Sequence, residues 1–204
     1  MVRTQFTPQD IGKINRSVLS RYAKVAGGAW RKLFRYPTGK DGMDGLGYDK
    51  ALTSALPGDV AATYCGVSHL FASAPVPLGG KILDIGCGAG VDTILAARLA
   101  GPEGASAGVD MTPEMIALAA ANARKSGATN VSFSRASAES LPFPDQCFDT
   151  VISNGVFNLV PDKQKALAEA WRVLRPGGRL AIADQILSDE SPRDVDTMTA
   201  HWGR

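Results

Sequence analysis

The chain predicts an α/β three-layer sandwich: a mostly parallel sheet of about five strands, helices on both faces, and a helical extension in front. Three observations predict it. From Lys81 onward, short apolar runs alternate with helix-length ones, the pattern of strands buried on both faces and joined by crossover helices. A glycine-rich run, GCGAG, links the first of these strands to the first of these helices, and open parallel sheets bind ligands at such a place. The preceding residues show too few strand-like runs for a core of their own. The expected division is therefore 1–79, a helical extension and lid, and 80–204, the sheet domain.

In chain order, residues 10–34 carry Ile11, Ile14, Val18, Leu19, Tyr22 and Val25 at amphipathic-helix spacing, with Thr7-Pro8 near the start. Gly27-Gly28 should interrupt or bend that helix. YPTGKDGMDGLGYD is rich in Gly and Asp and reads as a loop, and ALTSALPGDVAATY as a short helical segment. KILDIG, ASAGVDM, NVSFSRA, CFDTVISN and GRLAIAD read as strands; VDTILAARLA, PEMIALAAANARKSG and DKQKALAEAWRVL read as helices. Right-handed crossovers should connect them. Nothing after Asp184 reads convincingly as a strand, so the last one is expected at an exposed edge. Such an edge calls for a covering helix, a second copy in a homodimer, or another partner.

Composition narrows the class. Hydrophobic residues are 45% and charged residues 21% of the 204, which separates the chain from disordered sequences. Lys+Arg 22 against Asp+Glu 20 leaves a net charge of +2, which disfavours nucleic acid held by bulk electrostatics. No apolar run reaches the length of a membrane span, and the N-terminus lacks a signal core, so the cytoplasm is the expected location. Cys65, Cys87 and Cys147 are too few and too dispersed for a disulfide framework or zinc knuckle. With only His69 and His201 besides, no protein-held metal site is expected.

ILDIGCGAGVD carries the sharpest chemical signal. Its strand delivers Asp84, then Gly86, Gly88 and Gly90, small residues that permit a tight turn and a close ligand approach to a helix N-terminus. Asp110 ends the second strand, where an acidic side chain can accept both ribose hydroxyls of an adenosine; Met111 can pack on the adenine. Ser137-Ala138 can offer an N–H and a side-chain oxygen to the adenine edge, while Glu139 reads equally as a surface charge. Asn154 ends the fourth strand over the ligand crevice. A nicotinamide dinucleotide fits less well: Val91 stands where its fingerprint has a third glycine, and Asp92 would repel a pyrophosphate.

LDIGCGAG, GVDMTPEMI, AESLPFPDQCFDTVISN and EAWRVLRPGGRLAIAD together resemble the class I S-adenosylmethionine-dependent methyltransferases. The resemblance implies a Rossmann-like fold of which this chain lacks the usual last two strands, S-adenosylmethionine as cofactor, and S-adenosylhomocysteine as product. By resemblance, Asp84, Gly86 and Gly88 line the methionine end, with Cys87 a packing residue within the same cofactor loop, and Asp110 holds the ribose. Met111, Ser137 and Ala138 surround the adenine, and Asn154 stands beside the methyl group. LRPGG resembles the turn leading into the fifth strand.

A narrower resemblance, to arsenite methyltransferases, rests on RYAKV, YCGVSH, LAARLAGPEGASAGVDMTPEM and ISNGVFNLVPDK. It implies Tyr22 over the cofactor and Cys65 on the acceptor side. That family has a cysteine where Gly155 stands here, and another beyond the fifth strand, whereas this sequence has none after Cys147. A small-molecule acceptor of another kind is therefore expected, with Cys65, Asn154 and Tyr22 as acceptor-side candidates and no catalytic base identified. A non-catalytic S-adenosylmethionine-binding protein and an arsenite methyltransferase-like enzyme with an altered metalloid site are the alternatives.

Overall fold

A computed structural model describes residues 6–29, 33–34 and 36–185. Helix α1 spans Pro8–Lys24. Thr7 Oγ1 accepts from the Asp10 N–H at 3.2 Å, Asp10 Oδ2 accepts from the Thr7 N–H at 3.0 Å, and Pro8 opens the helix, a reciprocal cap of two orphan donors. The helix does not run regularly to residue 34. Val25–Ala29 forms a wide π-helical turn with Gly28 at φ 99°, a conformation that a β-carbon disfavours. Residues 30–32 and 35 of the following stretch lie outside the described residues.

The expected loop after Tyr36 is partly helical: α2 spans Gly39–Gly45. A β-carbon on Gly42 would fall 2.5 Å from the Pro37 carbonyl oxygen, and Met43 is fully buried. Close packing thus overrides the poor helix propensity of a glycine-rich run. Two short helices, α3 (Lys50–Ser54) and α4 (Gly58–Ala61), replace the single segment expected next. Pro57 separates them because its ring cannot continue a helix from the residue before it.

The sheet domain follows as β1 (Lys81–Ile85), α5 (Val91–Ala100), β2 (Ala105–Asp110), α6 (Pro113–Lys125), β3 (Val131–Arg135), β4 (Phe148–Asn154), α7 (Lys163–Val173) and β5 (Leu174–Ala183). All pairs are parallel, in the order β3-β2-β1-β4-β5, the five-stranded sheet the alternation predicts. One boundary differs. RPGG lies inside β5 as an irregularity, with Phe148 opposite Leu174 and Thr150 already opposite Arg179. Gly178 packs there against Leu174 and the Asp149 carbonyl, at 2.8 and 2.9 Å from an added β-carbon.

Successive residues of β1 feed opposite faces, as a pleated strand requires. Ile82 joins α5 residues Val91, Ile94 and Leu95 together with Met43, Tyr48, Val60, Tyr64, Leu70 and Phe71. Leu83 and Ile85 join Val109, Val151, Phe157 and the α7 residues Ala166, Ala170 and Val173. The segment ahead of the sheet therefore shares a core with one sheet face and lies over α5. That placement carries Tyr64–Ser68 to the glycine loop.

Candidate active site

A cleft opens at the carboxyl ends of β1, β2 and β4, with an empty volume of about 1050 Å³ including its mouth. Crossover topology produces it, because the connections after adjacent strands leave on opposite faces and part there. Gly86, Gly88 and Gly90 have φ of 74°, 51° and 79°, so all three need the left-handed region that glycine enters freely. They differ in surroundings. A β-carbon would fall 2.3 Å from Val156 at Gly86 and 2.9 Å from Ala119 and Phe133 at Gly90, but would meet nothing within 4 Å at Gly88. Gly88 therefore presents bare backbone to the cleft.

Asp110 binds the same loop. Its Oδ2 accepts from the Gly88 N–H at 3.0 Å and its Oδ1 from the Thr112 N–H at 2.8 Å. Each oxygen has a further lone pair, and the residue lines the cleft. Burial raises its pKa against those bonds. Asp84 lies deeper, 2% exposed, and Thr93 Oγ1 donates to its Oδ2 at 2.6 Å. Burial, then the charge of Asp92, pushes Asp84 up to about 8.

This has a consequence for stability. An aspartate with a raised folded-state pKa keeps its proton over a range where the unfolded chain has lost it. The folded state then binds more protons, and stability falls as pH rises from about 4 to about 8. The ligand-free protein should melt at a lower temperature at pH 8 than at pH 6, and Asp84→Asn should flatten that dependence. A variant with the wild-type slope between those pH values would remove Asp84 as its source.

Every cofactor-binding and acceptor-side candidate lines this cleft: Tyr22, Cys65, Asp84, Gly86, Cys87, Gly88, Asp110, Met111, Ser137, Ala138 and Asn154; Gly90 of the same run does not. Their side chains are differently committed. Cys87 is buried, and its Sγ lies 2.9 Å from a β-carbon added to Gly108, which makes it a packing element beneath the loop. Ser137 Oγ already accepts from the Glu139 N–H at 3.2 Å, while Glu139 Oε1 accepts from the Asp162 N–H at 2.8 Å. Asn154 lines the cleft with its amide fully engaged. Its Oδ1 accepts from Val67 and Ser68 N–H at 2.8 and 3.2 Å, and its Nδ2 donates to the Ser68 carbonyl at 2.8 Å and to Asp92 Oδ2 at 2.9 Å.

Burial, with the nearby charges of Asp110 and Asp92, pushes the Cys65 thiol up to about 12. Burial likewise raises Tyr22 above the usual phenol range. Both are protonated near neutrality. Cys147 lies apart from the cleft, its Sγ donating to the Pro144 carbonyl at 3.1 Å.

Asn15, Val18, Tyr36 and Tyr64, none of them a site candidate from the sequence, also line the cleft. Asn15, Val18 and Tyr22 are three and four residues apart, hence on one face of α1, and that spacing was available in the sequence. Tyr36 donates to the Cys65 carbonyl at 2.9 Å, a contact between segments that no local pattern encodes.

A family model described as a methyltransferase domain matches residues 78–202. The chain belongs to that family. Over 160 residues, 78% of this chain and 40% of the relative, it is 44% identical to an arsenite methyltransferase of Halobacterium salinarum. It is 41% identical over 107 residues to the ubiquinone/menaquinone biosynthesis C-methyltransferase UbiE of Pasteurella multocida, covering 52% of this chain and 40% of that one. Among solved structures, CrArsM, an arsenic(III) S-adenosylmethionine methyltransferase from Chlamydomonas reinhardtii, superposes with a TM-score of 0.59 at 37% identity. That match covers 66% of this chain and 48% of the other. The chain thus spans less than half the length of these relatives.

For a member of this family the implied cofactor is S-adenosylmethionine, and S-adenosylhomocysteine its demethylated product. The residues present fit it. Bare backbone at Gly88 admits close approach, and Asp110 keeps acceptor capacity at the end of β2. The three left-handed glycines shape the turn before α5.

Proposed function

We propose that this methyltransferase domain transfers a methyl group from S-adenosylmethionine to a small-molecule acceptor. The observation that carries this reading is the 3.0 Å bond from the Gly88 N–H to Asp110 Oδ2, which holds the acidic residue at the end of β2 against the glycine loop. Asp84 and the glycine loop line the methionine end, and Asp110 holds the ribose. Met111, Ser137 and Ala138 line the adenine end.

The cofactor supplies an electrophilic methyl on sulfonium, which needs an in-line nucleophile and a dry, ordered pocket more than a strong base. Tyr22 and Cys65, both protonated, are fitted to wall off water and shape the acceptor side. Val156, Leu159 and Val160 give the cleft an apolar flank. Calorimetric titration should show S-adenosylmethionine and S-adenosylhomocysteine binding with NAD silent. Incubation with methyl-labelled cofactor and a metabolite extract should yield a labelled small product. Silence of both sulfur ligands would reject the proposal. Binding without any labelled product would favour a non-catalytic S-adenosylmethionine-binding role.

Arsenite is the second reading, favoured by the 44% identity to an arsenite methyltransferase. Against it, Gly155 has φ 75° and donates its N–H to the Ala183 carbonyl at 2.8 Å. The position is occupied by a backbone turn rather than a thiol, and a single Cys65 thiolate is no chelate for a soft metalloid. Space is not the obstacle, since a β-carbon on Gly155 would come no nearer than 3.6 Å to Val67. Gly155→Cys should therefore fold, at a cost of about 1–2 kcal/mol for the left-handed residue. It should show no arsenite-dependent methyl transfer in a product assay, because the variant still lacks the further cysteine that the resemblance implies; robust turnover in that variant would overturn this account of the acceptor.

A further inference from the structure

A buried hydrogen-bond network joins the first turn of α5 to the loop that carries Cys65. Asp92, 7% exposed, receives Tyr48 Oη on Oδ1 at 2.7 Å and Asn154 Nδ2 on Oδ2 at 2.9 Å. Asn154 passes the connection on, because its other short bonds go to the backbone of Val67 and Ser68. Tyr64 Oη lies 3.1 Å from Tyr48 Oη and 3.4 Å from Asn154 Nδ2. Between these groups passes Gly66, where a β-carbon would stand 2.5 Å from both Asn154 Nδ2 and Tyr64 Oη. The backbone of Tyr64–Ser68 is therefore drawn against the side chains that hold it.

We propose that Tyr48, Asp92 and Asn154 form a clasp that positions the Tyr64–Ser68 loop, and with it Cys65, over the donor end of the cleft. Tyr48 is then a positioning residue: it does not line the cleft, and it acts through Asp92 and directly on the loop, where the Ser68 carbonyl lies 3.1 Å from its hydroxyl. The inference rests on the methyl-transfer reading for its purpose, but its geometry is independent of which acceptor is used.

Two features make the clasp more than packing. Asp92 stands at the N-terminus of the helix that receives the glycine loop, so one carboxylate serves both the helix and the acceptor loop. The network is also closed: Asp92 accepts one side-chain bond on each oxygen, and the Asn154 amide uses both its donor and acceptor sides. A buried ion held this way loses much when one donor is removed, because the remaining charge is left without a partner. The ring of Tyr48 packs separately, 4.2 Å from His69 and 5.4 Å from Tyr64 between centroids. Tyr48→Phe removes the hydroxyl and leaves those ring contacts.

The test uses the whole chain and needs no acceptor. Amide hydrogen exchange at Val67 and Ser68, with iodoacetamide labelling of Cys65 mapped by mass spectrometry, reads opening of the loop. In Tyr48→Phe both should accelerate by roughly tenfold, the effect of losing one bond to a buried charge, while exchange in β1 and α5 stays at the wild-type rate. Uniform acceleration throughout the chain would assign Tyr48 a general packing role and overturn the clasp; so would an unchanged loop.

A pH series gives a readout that packing alone would not move. Asp92 faces Tyr48 and Tyr64 from the preceding segment, Asn154 from β4, Asp84 from β1 and Cys65 of the loop. Exchange at Val67 and Ser68, corrected for its intrinsic pH dependence, should rise as pH falls from 7 to 5 and Asp92 takes a proton, and Asp92→Asn should abolish the rise. A pH-independent wild-type loop would sink the clasp. Calorimetry with S-adenosylmethionine on the same samples separates the two readings. Wild-type protein that fails to bind it rejects the methyl-transfer function, whereas normal binding with an unresponsive loop rejects only the clasp.

Discussion

Replacing Gly86 with alanine is expected to cost roughly 2–5 kcal/mol of folding free energy and to abolish cofactor binding. Two terms add. A side chain at φ 74° meets the steric penalty of the left-handed region, about 1–2 kcal/mol. The new β-carbon would also sit 2.3 Å from Val156 Cγ2 and 2.6 Å from its Cγ1. Both γ-carbons belong to a short branched side chain that cannot swing clear, so the wall must move, at about 1–3 kcal/mol for overpacking. Against the ~5–15 kcal/mol that holds a typical domain together, that loss should be plain in the midpoint of urea unfolding. Gly88→Ala is the matched control. It keeps a backbone penalty at φ 51° but meets no atom within 4 Å, so it should lose less stability and still impair binding, since its methyl enters the cleft. Equal destabilisation by both substitutions would show that contact with Val156 is not the decisive term.

Asp110→Ala should weaken S-adenosylmethionine binding by about 1–3 kcal/mol, roughly 5- to 150-fold, the scale of a charge-assisted hydrogen bond together with the ligand hydroxyls left unmet. The substitution also strips the Gly88 and Thr112 N–H groups of their acceptor, so part of the loss arises from a looser glycine loop. Asp110→Asn separates the contributions: its carbonyl oxygen can still accept from one of the two N–H groups, while the charge is gone. Affinity restored to wild type in the asparagine variant would locate the effect in the loop rather than in ribose recognition. Unchanged affinity in the alanine variant would reject the ribose role outright. Isothermal titration with S-adenosylmethionine and S-adenosylhomocysteine measures both.

Much of the sheet domain was legible in the sequence because its signals are local. Lys81–Ile85 and Ala105–Asp110 are short and apolar because both faces of a central parallel strand are buried. The helix VDTILAARLA carries its start in Gly90 and its stop in Gly101. The glycine turn and the position of Asp110 were legible for the same reason, since each lies at the end of a strand whose register is set by its own residues. The N-terminal part was less legible. GKDGMDG looks like a loop by composition, yet it forms a helix because Gly42 admits the close approach of Pro37 and Met43 enters the core.

For this protein, the sequence by itself determined the strand and helix order of the sheet domain, the glycine turn, the acidic residue at the end of β2 and the glycine at position 155. Periodicity and backbone sterics act over a few residues, and both can be read from neighbours along the chain. Only the tertiary structure decided what Asp92 and Asn154 do. From the sequence, Asp92 was a charge repelling a pyrophosphate and Asn154 a group beside the methyl; in the fold they bond each other across 62 positions and hold a loop through Val67 and Ser68. A buried polar side chain takes whichever partners the packed chain brings within reach. Those partners are set by how the Met43–Phe71 segment packs against α5, which no run of adjacent residues specifies.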